Sequence, residues 1–88
     1  MRPRVRDSER LPQLVAQETL ILGVTEDLID VMLRRGITSS MLARRLGFSE
    51  RRLRRLMTGE RDMTLRELAA MAHALGAEAR VEVGMARA

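Results

Sequence analysis

The sequence predicts an all-α domain of about five short helices followed by a short C-terminal β-strand. Three observations predict it. Apolar residues recur at three-and-four spacing from Leu11 to Leu75, Ser or Thr caps and Gly stops punctuate that pattern, and only Ala79 to Val83 alternates with a period of two. Eighty-eight residues can bury one modest core, so a single domain is expected. Residues 1–10 read as a flexible basic arm, 11–76 as the helical domain, and 77–88 as a strand and tail that are a candidate dimerisation element.

A first helix is expected from Leu11 to about Leu22, carried by Leu11, Leu14, Val15, Ile21 and Leu22, with Pro12 tolerated in its opening turn. Gly23-Val24-Thr25 then offers a break and an N-cap. A second helix, Glu26 to Arg35, places Glu26 and Asp27 at its start and Arg34, Arg35 and Gly36 at its end, as the helix dipole and a left-handed stop favour. The pattern is equally compatible with one bent helix. Thr38 caps Ser39 to Leu46, ended by Gly47. Ser49 caps Glu50 to Thr58, ended by Gly59. Thr64 caps Leu65 to Leu75, ended by Gly76, and Glu67 completes a Thr-x-x-Glu capping box. In the strand, Val81 and Val83 alternate with Arg80 and Glu82.

Charge narrows the function classes. The chain has sixteen basic residues, all Arg, against twelve acids, for a net charge of +4. Residues 7–33 hold one Arg and six acids, −5, whereas residues 34–66 hold ten Arg and three acids, +7. A polyanionic partner is favoured, and the second segment is where it would be met. Phe48 is the only aromatic residue, which argues against the base stacking used on single strands and leaves duplex DNA as the better partner. With no Cys and no apolar run of membrane length, a cytoplasmic, non-secreted protein is expected.

On a wheel of residues 50–57, Leu53, Leu56 and Met57 share one face, while Arg51, Arg52, Arg54 and Arg55 fan across the other. Residues 38–46 precede this helix by only Gly47-Phe48-Ser49, a turn short enough to make the pair a helix-turn-helix. In that geometry the second helix enters the major groove, where Arg pairs bidentately with guanine. The alternative reading of the arginines is a solvated helix face.

The run GITSSMLARRLGFSERRLRRLMTGERDMTLRELAAMAHALG, Gly36 to Gly76, resembles the lambda-repressor-like, Xre-type helix-turn-helix family. Thr38, Leu42, Ala43, Leu46, Gly47, Ser49, Leu53, Leu56, Gly59, Leu68, Ala72, Leu75 and Gly76 fall on its pattern without a gap. The resemblance implies that Glu50, Arg51 and Arg55, with Arg54 as a further candidate, read base edges. It also implies phosphate contacts from Arg52, Thr58 and Arg61. Ser39 stands where the family has Gln; its shorter hydroxyl is still a candidate phosphate contact, and Arg44 and Arg45 are candidates to compensate.

Other signals are weak. His73 has no second ligand at metal spacing, so no metal site is expected. Glu26, Asp27 and Asp30 are read as helix-start charges rather than a carboxylate pair, and the methionines as core filler. No nucleophile or phosphate loop is present, so neither an enzyme nor a cofactor or small-molecule ligand is expected. The apolar helix before Thr25 and the lone strand with Val81 and Val83 must be covered by the chain itself or by a twin. Arg2, Arg4 and Arg6 read as a solubilising tail or a minor-groove arm. The function expected is a sequence-specific DNA-binding regulator, a repressor acting as a homodimer on a palindrome. The alternatives are an antitoxin bound to a toxin, a Cro-like phage switch protein, or a non-specific architectural DNA binder.

Overall fold

The computed structural model describes residues 7–86, so the expected arm residues Arg2, Arg4 and Arg6 lie outside the described residues. Four helices follow one another: α1 (Asp7–Arg35), α2 (Ser39–Leu46), α3 (Glu50–Met57) and α4 (Leu65–Ala74).

α1 is one helix of 29 residues, about 43 Å long at 1.5 Å per residue. The break expected at Gly23-Val24-Thr25 does not occur, which reduces five helices to four. The reason lies in the Thr25 side chain. Its hydroxyl donates back to the Ile21 and Leu22 carbonyls at 3.1 and 3.0 Å instead of capping a new helix. The helix also starts four residues before Leu11, which places Pro12 in the second turn, where it removes the N–H that would reach the Ser8 carbonyl.

The next three helices start where the sequence places them, because each carries its own local cap. Thr38 Oγ1 accepts from the Met41 N–H at 3.2 Å, and Ser49 Oγ accepts from the Arg52 N–H at 3.1 Å. Thr64 and Glu67 form the full box: the Glu67 N–H donates to Thr64 Oγ1 at 3.0 Å, and the Thr64 N–H donates to Glu67 Oε1 at 2.8 Å. Gly47, at φ +70°, turns the chain out of α2 in the left-handed region, so that Phe48 N–H reaches back to the Ala43 carbonyl at 2.9 Å. That single left-handed residue makes a three-residue connection to α3 sufficient.

The core joins all four helices. Leu28 and Met32 of α1, Ile37 of the connection that follows it, Leu42 and Ala43 of α2, Leu53 and Leu56 of α3, and Met71 with Leu75 at the end of α4 are buried together. Burying each of the larger side chains contributes about 1.5–3 kcal/mol. α1 enters this core by its C-terminal half only, and every residue from 10 to 22 is exposed.

The expected strand at residues 79–83 is a correction: residues 77–86 carry no hydrogen-bonded secondary structure. A strand needs a neighbour to accept its N–H groups, and among the described residues none lies beside this segment. Val81 is half exposed on the rim of a groove shared with Leu20, Val24 and Leu28 of α1, and Val83 is 94% exposed. Among the described residues no helix is long and apolar enough to cross a membrane.

Candidate nucleic-acid interface

α3 is held by one face. Leu53 and Leu56 are each 1% exposed, which fixes the helix roll and turns Glu50, Arg51, Arg54 and Arg55 outward, all four exposed. Among the described residues Arg51 and Arg54 have no acid within ion-pair distance, and Arg55 has only Glu60, with Nε to Oε2 at 3.9 Å. Arg51, Arg54, Arg55 and Glu60 together line a shallow cleft of about 320 Å³. Like charges this close repel one another, so the face is poised for an anionic partner. The four residues expected to read base edges are therefore together on one surface.

The expected phosphate contacts do not behave as a group. Ser39 is exposed at the first position of α2, and Thr58 is exposed at the end of α3, where its hydroxyl donates to the Arg54 carbonyl at 2.8 Å. Arg61 is half exposed, with its Nη2 3.9 Å from Glu67 Oε2. Arg52 differs from all of them because its guanidinium is drawn into the fold. It stacks on the Phe48 ring at 3.6 Å from the centroid and pairs with Glu67 Oε2 at 3.2 Å. Its Nε–H is buried without an acceptor, a cost the stack and the ion pair offset. Arg52 thus ties α3 to the start of α4. Of the two compensating candidates, Arg45 caps α4, its Nη1 donating to the Ala74 carbonyl at 2.9 Å, while Arg44 remains exposed.

Glu67 is the residue whose importance sequence reading underrated, because its capping role was visible but its pairing with Arg52, fifteen positions away, was not. The residue is 8% exposed, and its carboxyl is held below the ordinary glutamate range. The largest cause is the Thr64 backbone N–H; burial opposes it, and the Arg52 and Thr64 side chains and the Arg61 charge add to the lowering. A depressed carboxylate stabilises the fold above its unfolded pKa, and that contribution is lost as the pH falls through the folded one. Glu67→Gln is expected to destabilise the domain by about 1–2 kcal/mol near neutral pH. The gap between variant and wild type should narrow as the pH falls from the ordinary glutamate range through the lowered folded value. Chemical denaturation across pH measures this, and a constant gap would refute the role of the charge.

Among the described residues no group of three or more potential metal ligands occurs, and His73 stands exposed near the end of α4. Searches of curated proteins and of solved structures return no match. A family described as a helix-turn-helix domain matches residues 28–83, almost two thirds of the chain. The match spans α2, the Gly47 turn, α3 and α4, which are the elements that present the arginine face, in agreement with the lambda-repressor-like resemblance. The chain belongs to the helix-turn-helix domain family, and so to a class of DNA-binding regulators.

Proposed function

We propose that this protein binds duplex DNA sequence-specifically, as a homodimer on a palindromic operator, and represses transcription by occupying it. The observation that carries the reading is the outward arginine face of α3, where Arg51 and Arg54 have no acid within ion-pair distance among the described residues. In this reading α3 lies in the major groove. Arg51, Arg54 and Arg55 meet base edges, and Glu50 accepts from a cytosine amino group. Ser39, Thr58 and Arg61 meet the phosphates, and the N-terminus of α2 adds its dipole to the first of these contacts. Arg52 serves as the brace that sets the angle of α3.

Selecting bound duplexes from a random pool tests the proposal, with a palindromic consensus as the expected result. Titration of the selected duplex should show affinity falling with salt at a log–log slope of about −4 or steeper, since several phosphates are neutralised per dimer. A pool that emerges without consensus would favour an architectural binder. A flat salt response would refute the phosphate contacts.

A second reading, an antitoxin that also binds a toxin, is supported by the exposed Val81, Val83 and Met85. These lie beyond the DNA-facing elements, on a segment free to pair with another chain. Co-purification with the product of an adjacent gene tests it.

A further inference from the structure

The helix-turn-helix fold does not account for the N-terminal half of α1. Residues 10–22 are exposed along their whole length, and the family match begins only at residue 28. Yet this half is not polar. Leu11, Val15, Leu22, Ile29 and Leu33 fall within about 40° of one another on the helix wheel, roughly 100° round from the core residues Leu28 and Met32. They form an apolar stripe about 33 Å long, and each of the five is 44–77% exposed. A stripe of this length on a small domain marks a contact surface.

The spacing of the stripe identifies its occupant. Its members are symmetric about Leu22: Leu11 and Leu33 lie eleven positions to either side of it, and Val15 and Ile29 lie seven. An antiparallel copy therefore sets Leu11 against Leu33 of the second copy, Val15 against Ile29, and Leu22 against itself. Charge selects the same orientation. Parallel pairing would set the two +7 segments, residues 34–66, side by side, whereas antiparallel pairing places them at opposite ends of the helix pair. Glu18 and Glu26 stand on opposite flanks of the stripe, so the antiparallel register keeps them on opposite rims.

A receptor for the second helix is also present. Ile29 and Leu33 form the α1 edge of a groove of about 680 Å³, where Leu11 and Val15 of the second copy would come to rest, while the far side of the groove, Ser39, Glu50, Arg54 and Thr58, stays with the DNA-facing surface. Two helices packed along about 33 Å remove on the order of 1,000 Å² from water, which reaches the size of a specific interface.

We infer that the chain forms an antiparallel two-fold dimer through the Leu11–Leu33 stripe of α1, centred on Leu22. This deepens the DNA-binding reading and rests on it for one consequence. For the two arginine faces of such a dimer to enter successive major grooves on one side of the duplex, the operator should have half-sites about 10 base pairs apart.

The natural absence of Cys makes the test direct. In full-length protein under mild oxidation, Leu22→Cys is expected to form a disulfide-linked dimer and Val15→Cys alone is not. An equimolar mixture of Val15→Cys and Ile29→Cys should cross-link to each other. Efficient self-linking of Val15→Cys would mean parallel pairing and would overturn the inference. Leu22→Glu should raise the dissociation constant of the dimer about 100-fold in sedimentation equilibrium. Its thermal unfolding should stay cooperative, because Leu22 lies outside the core. Wild-type protein sedimenting at 10.0 kDa at the concentration that saturates the operator would overturn the dimer while leaving DNA binding standing. A cross-linked dimer with no affinity for any selected duplex would do the reverse.

Discussion

Leu53→Asp is expected to leave the chain unfolded at room temperature. Leu53 is 1% exposed and packs among Leu42, Leu56, Met71 and Leu75, so no water and no cation is at hand to solvate a carboxylate. Removing the leucine side chain alone costs about 2.7–5 kcal/mol by transfer and cavity formation. Burying an unpaired charge adds several more. A domain of this size has about 5–10 kcal/mol to lose. Circular dichroism of the variant should therefore show no cooperative melt. Leu65→Asp is the control, because Leu65 is 71% exposed at the start of α4 and its replacement should change stability by no more than about 0.5 kcal/mol. A normal melt for Leu53→Asp would mean that α3 is rolled the other way and that the arginines face inward.

The second large effect concerns the DNA. Arg51→Ala and Arg55→Ala are each expected to weaken the selected operator about 10- to 100-fold and to relax base preference at one or two positions, the loss of a bidentate guanine contact. Arg51→Lys should recover little, since a single ammonium cannot span O6 and N7 as a guanidinium does. Both alanine variants should melt as wild type does, because neither side chain is buried. Arg52→Ala separates the two kinds of arginine: it should lower the melting temperature by breaking the Phe48 stack and the Glu67 pair. Anisotropy titrations beside thermal melts measure all four. Equal loss on every duplex for Arg51→Ala and Arg55→Ala would refute base reading.

What the sequence revealed follows the range of the interactions involved. Thr38, Ser49 and Thr64 were legible as caps because each bonds within three residues. The outward fan of Arg51, Arg54 and Arg55 was legible because helix period alone sets it once Leu53 and Leu56 face inward. Thr25 misled because a threonine hydroxyl serves equally as an N-cap or as a donor to a carbonyl one turn back, and only the path of the backbone distinguishes them. Residues 79–83 misled because alternation describes a strand's faces and says nothing of a neighbour. Arg52 was placed by its Cβ direction, whereas a guanidinium at the end of a long stem goes where the partners are. Its partners are the ring of Phe48 and a carboxylate fifteen residues away. The lone aromatic directly before the Ser49 cap, with an arginine four positions on, was the available clue.

The Phe48–Arg52–Glu67–Thr64 linkage has a practical corollary for anyone wishing to retarget this protein. Those four positions form a chassis: they must be inherited together, because a change at one strands the others. Positions 51, 54 and 55 make no contact with that linkage, so in the proposed DNA-binding reading they are an exchangeable reading head. A library randomised there should yield folded variants with new operator preferences, whereas one that also randomises 52 or 67 should yield variants with lowered melting temperatures.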